Sequence, residues 1–592
     1  MRLKRIRLGA LCTIAIGLGT AFASQAAPVQ GPCGQITAAC QLAGFVQGGA
    51  KKGNGLQLHC IDPIMQGTAQ PPKATKPLPQ VDPQLVASCK LENPRFGQRQ
   101  APGSAAGEQP SPASPPPPAP IAQNTPTPAP SSAAKRPNIV FILTDDLAWN
   151  LVQYMPHVLK MQKEGVTFAN YFVTDSLCCP SRSSIFTGRY PHNTGIFRNT
   201  GKDGGYVAFH DRGHERATFA TALSAAGYRT AMLGKYLNGY LPEMHAPAPG
   251  WTWWEVAGHA YPEFRYTLNQ DGSIVHYGAK PTDYLTDVLS GLAARLIKQA
   301  AGAPFLIEVA TFAPHAPYTP APRDAAALPG VRGARTPAFN AAPGADTPKW
   351  LVAHPQLSDA NIATIDRDFR KRAQSVLAVD AMVGALQAAV ATIGEANNTY
   401  FVFSSDNGYH MGEHRLMPGK MTAFDSDIHV PLIITGPGVP AGRTVDEIVV
   451  NIDLYPTFTE LGGAGALASI DGWSLVPLLH GQKVAEWRTV ALVEHRGPHK
   501  DPTDPDAPAL RSGNPTSYEA IRGLTSLYVE YADGEKEHHD LLADPHELHN
   551  SFSSLSGEEK ASLHAMLGAV KICHDANSCR AAERPIHSAM RR

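Results

Sequence analysis

The sequence predicts an α/β protein built on a large, mainly parallel β-sheet flanked by helices, with a smaller antiparallel subdomain near the C-terminus. Three observations lead there. From about residue 136 to 490, short apolar runs alternate with helical segments, the pattern of strands joined by helical crossovers. Four of those runs end in, or just before, polar residues. PNIVFILTDD ends in Asp145 and Asp146, and YRTAMLGKY ends near Lys235. PFLIEVATFAPHAPY carries His315 just beyond its strand, and TYFVFSSDNGYH reaches Asp406 and Asn407. After about residue 490 the texture changes: SYEAIRGLTSLYVEYADGEKEHHD reads as strands with a turn at Asp533-Gly534, a hairpin signal.

Taken in order, residues 1–26 have a basic start, an apolar run and small residues before Pro28. That is a secretory signal peptide, so the mature chain is expected to be soluble and exported, either periplasmic or secreted. No later run is long and apolar enough to suggest a membrane span. Residues 27–100 form an extension with Cys33, Cys40, Cys60 and Cys89. An oxidising compartment favours disulfides there, with three pairings open. Residues 101–135 are rich in Pro, Ala and Ser, which reads as an extended linker. The main body, 136–490, has helical composition around 156–164, 216–226, 283–300 and 366–393. In the final part, 491–592, Asp544 and Pro545 suit the cap and first turn of a helix. Cys573 and Cys579 would close a small loop. The formal net charge of +0 gives no case for nucleic acid or an acidic membrane surface as partner.

The most informative stretch is Cys178-Cys179-Pro180-Ser181-Arg182, followed by Thr187-Gly188-Arg189. A helix beginning near Pro180 puts Cys178 at a positive helix end, where an anion is favoured. Arg182, one turn on, can face the same site. A tyrosine-phosphatase loop is excluded, because it needs Arg six positions after its Cys and position 184 is Ser. Asp145, Asp146, Asp406 and Asn407 are hard oxygen donors from two strand ends, suited to Ca²⁺ or Mg²⁺ rather than zinc. Ligands of open α/β sheets bind beyond the carboxyl ends of strands. That places Lys235 and His315 in reach of the same site, with His315 able to carry or release a proton near neutrality.

These residues resemble the motifs of type I, formylglycine-dependent sulfatases of the alkaline-phosphatase-like superfamily. C-x-P-S-R with its T-G-R tail resembles the activation signature, and the resemblance runs from PNIVFILTDD to DPHELHN, roughly residues 136–550. It implies that Cys178 is converted by a formylglycine-generating enzyme to 3-oxoalanine, whose hydrated aldehyde attacks the sulfur of a sulfate ester. It implies one divalent cation, described as Ca²⁺ with Mg²⁺ left open, held by Asp145, Asp146, Asp406, Asn407 and modified Cys178. Arg182 would stabilise the nucleophile. Lys235, His315 and Lys420 would hold the sulfate, with Lys235 or His315 assisting departure of the alcohol. His410 is implied as a supporting or substrate-contacting residue, and His414 as structural.

One departure stands out. Many members carry G-K-W-H, whereas this chain has Leu237 and Asn238 after GKY, so Asn238 is a substitute donor. The GKYLN form is similar to that of N-acetylglucosamine-6-sulfatase-like members, and the substrate expected is a sulfated carbohydrate or an aryl sulfate. Trp251, Trp253 and Trp254 read as packing rather than a sugar platform. Two other readings stay open: a formylglycine-dependent phosphonate monoester or phosphodiester hydrolase, and a non-catalytic secreted glycan-binding protein.

Overall fold

A computed structural model describes residues 32–46, 52–81, 85–86, 89–90, 135–344, 346–465, 467, 469–502, 504 and 506–584. The expected signal peptide and nearly all of the expected linker lie outside them. Two compact units are present, one within residues 1–127 and one within 128–592.

The first unit centres on the helix Pro32–Leu42 and a small buried cluster of Ile36, Cys40, Phe45, Cys60 and Met65. Of the three open pairings, it contains Cys33–Cys89 and Cys40–Cys60. So small a core depends on such staples.

The second unit carries a ten-stranded sheet. In chain order its strands are β1 Asn138–Thr144, β2 Val166–Phe172, β3 Arg229–Lys235, β4 Trp253–Gly258, β5 Thr267–Gln270, β6 Ser273–His276, β7 Phe305–Ala310, β8 Thr399–Ser405, β9 Leu432–Thr435 and β10 Arg443–Val450. They lie in the order β10-β2-β9-β8-β1-β7-β3-β4-β5-β6. The four runs singled out for their polar ends are neighbours, β8-β1-β7-β3, and all pair in parallel. Every residue of β1, β7 and β8 is buried, as expected for parallel strands covered on both faces. Alternation along β1 sends Ile139, Phe141 and Leu143 into one core and Val140 and Ile142 into the other.

Register decides where the chemistry lies. Thr144 pairs with Ser405, Leu143 with Ala310, and Ala310 with Gly234. The strand ends are therefore level, and the residues just past them emerge on one rim. The close approach of β3 to β7 requires Gly234: at φ +87° a Cβ there would stand 2.0 Å from the Ala310 carbonyl oxygen.

Helices Leu285–Ala300 and Asp359–Thr392 cover one face. The latter begins seven residues before the predicted start at 366, because Ser358 and Asn361 form a reciprocal cap. It also corrects the expectation about membrane spans. By length and composition it is apolar enough to cross a bilayer, but Ile365, Phe369, Val376, Val379, Met382 and Val383 are buried in the protein core. Its Ala-rich composition, not a lipid-facing surface, raises its apolarity.

A second sheet, β11 Val490–His495, β12 Tyr518–Gly523, β13 Ser526–Tyr531 and β14 Lys536–Asp540, is an antiparallel meander. The turn at Asp533-Gly534 joins β13 to β14, with Gly534 at φ 91°. The helix start expected at Asp544-Pro545 is not there. Residues 541–549 form turns in which Asp544 accepts the His549 N–H at 2.7 Å. The next α-helix is Gly557–Val570, capped by Ser556 and Glu559. Asp544 caps a local turn instead, one of the two uses open to such a residue. The Cys573–Cys579 disulfide closes the expected C-terminal loop.

Candidate active site

The rim above β8-β1-β7-β3 gathers the predicted residues. Cys178 is the first residue of the helix Cys178–Thr187, which starts two positions before the expected Pro180. Pro180 is tolerated in that first turn because its missing N–H would have no intrahelical partner. Gly188 ends the helix in the left-handed conformation at φ 67°. Asn199 Oδ1 accepts the Cys179 N–H at 3.0 Å, so an asparagine from elsewhere satisfies one free donor at this terminus.

Cys178 Sγ lies 3.2 Å from Asp145 Oδ1 and 2.9 Å from Lys420 Nζ. Lys420 also donates to Asp146 Oδ1 at 2.7 Å, and Lys235 Nζ donates to Asp145 Oδ2 at 2.6 Å. Asp406 Oδ1 accepts the backbone N–H groups of Asp146 and Asn407 at 3.1 and 2.8 Å. Asp146 turns back into this cluster through φ 64°, a strained conformation for a non-glycine residue. Arg372 donates to its backbone carbonyl.

Burial alone would strip charge from the lysines. The adjacent Asp145 holds Lys235, and Asp146 holds Lys420, well above the ordinary lysine range. Burial, with Asp145 and Asp506 adding to it, pushes the Cys178 thiol well up, so the unmodified side chain is a neutral thiol. Cys179, the other free cysteine, is buried and pushed up to about 12.

Arg182 is fully buried, but it does not reach the pocket as expected. Its Nε donates to Asp406 Oδ2 at 2.7 Å and its Nη1 to the Lys235 carbonyl at 2.7 Å. It therefore ties the ends of β3 and β8 together, with only Nη2 left without a partner. Behind it, Glu308 in the middle of β7 is fully buried, and neither carboxylate oxygen has a hydrogen-bond partner. Burial pushes Glu308 up to about 8, with Arg182 opposing. An unfolded Glu loses its proton near 4.5, whereas the folded one keeps it to about 8. Stability should therefore fall as pH rises through that window, by up to about 1.4 kcal/mol per pH unit. Glu308→Gln should flatten the slope and leave the variant the more stable protein at pH 9. Urea unfolding at pH 5, 7 and 9 checks this, and parallel profiles for the two proteins would refute it.

His315 comes just after β7. Its Nδ1 faces the Ala316 carbonyl at 2.8 Å, and its Nε2 faces Asp506 Oδ1 at 2.5 Å. An acceptor at each nitrogen favours the protonated ring. Burial would lower its pKa, but Asp146, Asp506 and Asp145 outweigh that and raise it. One ligand atom each of Asp145, Asp146, Cys178 and His315 lies within 4.8 Å of the others, but both His315 nitrogens are already paired, with Asp506 and the Ala316 carbonyl. The donor set that fits a cation is instead Asp145, Asp146, Asp406, Asn407 and the residue at 178. Asn407 Oδ1 is buried without a partner, and hard oxygens dominate, as Ca²⁺ and Mg²⁺ prefer.

His410 points away from the pocket. Its Nδ1 pairs with Asp427 at 2.9 Å and its Nε2 with the Ser512 carbonyl at 2.9 Å. Asp427 also accepts from Thr422, so this buried pair holds the turn that presents Lys420. His414 stacks on Phe424 at 4.1 Å, and burial pushes it down to about 3. Trp254 packs against Tyr236 and Tyr240 in the core. Asn238 does reach the site, donating to Asp506 Oδ2 at 2.9 Å. Sequence reasoning missed Asn199, Tyr261 and Asp506. Tyr261 presents its ring 5.0 Å from Lys235 Nζ, a cation–π distance.

Known proteins resemble this chain in sequence and in fold. The family description "Sulfatase" matches residues 137–464, and "N-sulphoglucosamine sulphohydrolase, C-terminal" matches residues 412–571. The chain is 34% identical over 478 residues to N-acetylglucosamine-6-sulfatase of Homo sapiens, covering 75% of this chain and 86% of that protein. It is 29% identical over 499 residues to arylsulfatase of Volvox carteri, covering 75% and 76%. Among solved structures, BT4656 in complex with its substrate D-glucosamine-2-N,6-O-disulfate superposes with a TM-score of 0.62 at 23% identity, covering 73% of this chain and 97% of that one. Phosphonate monoester hydrolase of Agrobacterium radiobacter gives 0.56 at 22% identity, covering 73% and 96%. At such identities the superpositions establish the fold.

Proposed function

Because this chain belongs to the sulfatase family, and is thus an enzyme that hydrolyses sulfate esters, we propose that it removes a sulfate monoester from an amino-sugar-containing glycan by means of a formylglycine made from Cys178. The observation that carries this reading is the position of Cys178. It opens a helix and stands within hydrogen-bond reach of Asp145 and Lys420. The glycan assignment rests on the likeness to N-acetylglucosamine-6-sulfatases together with the GKYLN segment. Residues 1–26 support export to the periplasm or exterior, and with it an encounter with a formylglycine-generating enzyme during biosynthesis.

The chain's own residues divide the work. A hydrated aldehyde at position 178 would supply an oxygen nucleophile that can later release sulfate, which a thiol cannot do. A divalent cation, Ca²⁺ or Mg²⁺ by the donor set, would be held by Asp145, Asp146, Asp406 and Asn407 and would polarise oxygens beside it. Arg182 fixes Asp406 and the end of β3, so its part is to position. Lys420 and Lys235 remain charged and flank position 178, where they orient a sulfate and offset negative charge as it builds. His315, whose protonated form the surrounding carboxylates favour, would give its Nε2 proton to the departing alcohol oxygen.

The test is the mass of the tryptic peptide that ends at Arg182, taken from protein purified from its own host. Conversion of Cys to the aldehyde nucleophile removes roughly 18 Da. An unmodified thiol in a sample that turns over sulfate esters would refute the mechanism. Paired turnover of an aryl sulfate and an aryl phosphonate then separates sulfatase from phosphonate hydrolase.

A further inference from the structure

We propose that Asp506 is the internal counter-anion of the sulfate pocket: its carboxylate sits on the donors that a sulfate ester needs and must be displaced for one to bind. The proposal rests on the reading of His315 and Lys420 as sulfate-binding groups. Asp506 lies in the segment between β11 and β12, and its side chain is 1% exposed. Its Oδ1 pairs with His315 Nε2 at 2.5 Å and forms an ion pair with Lys420 Nζ at 2.8 Å. Its Oδ2 accepts from Asn199 Nδ2 at 2.8 Å and from Asn238 Nδ2 at 2.9 Å. Two basic side chains and two amides thus converge on the two oxygens of one carboxylate.

That cage is an oxyanion receptor, and nothing in it is selective for a carboxylate. A sulfate monoester carries the same single charge and offers three terminal oxygens. Both anions cannot take the same His315 and Lys420 protons at once, and their like charges would repel in a buried site. Occupancy is therefore exclusive.

The surroundings favour exchange over a fixed role. A cavity of about 310 Å³ adjoins the site, lined by His315, Lys420 and Asp506 and running out to Leu510, which is 89% exposed. Withdrawal of one carboxylate would open both cations to it. Among the described residues, the Asp506 backbone N–H donates to the nearby Asp504 side chain. The segment is anchored on either side of it, by Thr200 on Asp501, the His499–Asn514 pair and Arg511 on the Pro355 carbonyl. Across the site, Asp506 itself is held by its side chain.

The experiment titrates inorganic sulfate into the purified full-length protein by calorimetry, comparing wild type, Asp506→Asn and Lys420→Ala. An occupant that fills the pocket nine-tenths of the time weakens apparent affinity about tenfold, so Asp506→Asn should bind sulfate about tenfold more tightly and lower KM for a sulfate monoester in proportion. Equal or weaker sulfate binding by Asp506→Asn, with affinity lost in Lys420→Ala, overturns the counter-anion and leaves the pocket standing. Indifference to both substitutions overturns the pocket reading together with the proposal. Hydrogen exchange on the wild type avoids any folding defect in the variants. Saturating sulfate should speed exchange of the amides at 506–512, and unchanged protection there overturns the proposal.

Discussion

Cys178→Ala should abolish turnover of a sulfate monoester, with a loss in kcat on the order of 10⁴ to 10⁶, the range set by deleting a nucleophile that works within a preorganised unit. The fold should survive. The side chain is small, and its contacts are a thiol hydrogen bond to Asp145 and an acceptor for Lys420. Both partners keep others, since Asp145 still pairs with Lys235 and Lys420 with Asp146. The informative comparison is with Asp145→Ala, which removes the partner of Lys235 and strands a buried cation, so that stability falls along with activity. Near-normal kcat in Cys178→Ala, measured on an aryl sulfate with thermal unfolding as the control, would end the nucleophile assignment.

Chelation is expected to have the second large effect. Asp145, Asp146 and Asp406 crowd one rim, and the counter-charges nearest to them are Lys235, Lys420 and Arg182. A divalent cation bound only by the folded protein stabilises it by RT ln(1 + [L]/Kd), about 4 kcal/mol at a thousandfold excess over Kd. Dialysis against a chelator should therefore drop both turnover and the unfolding midpoint, and added Ca²⁺ should restore both. Restoration by Mg²⁺ and not by Ca²⁺ would assign the smaller, octahedral ion. An unfolding midpoint indifferent to chelator and to either ion would remove the metal from the site.

Much of this site is legible in the order of residues alone. β1, β3, β7 and β8 announce themselves as largely apolar runs, and a run buried on both faces tends to put its polar residues at the strand end, with Glu308 in the middle of β7 as the exception. Asp145, Lys235, His315 and Asp406 are therefore readable by position, provided that the four strands are neighbours in register, which is a tertiary fact. The aim of Arg182 is not readable: its spacing from Cys178 is visible, but the pull of Asp406 on its guanidinium is not. Asp506 is invisible for a stronger reason. DPTDPDAP has the composition of a solvated turn, and its partner His315 lies 191 residues away. The same holds for DPHELHN, where Asp544 serves a turn as readily as a helix. Local chemistry offers both, and packing chooses.

The burial of Cys178 has a consequence for biosynthesis. At 0% exposure, the first residue of a helix whose every side chain is buried cannot be laid into the cleft of another enzyme while the protein is folded. Freeing the five residues from Cys178 to Arg182 would also break Arg182 from Asp406 and Cys179 from Asn199, an opening close in scale to global unfolding. Any enzyme that alters this thiol must reach it on the nascent, still extended chain. A molecule that folds first is committed to remain unaltered for its lifetime. Under the proposed conversion of Cys178, the active fraction of a preparation is then fixed by a race between folding and processing, and incubation of the finished protein with the processing enzyme should not raise it.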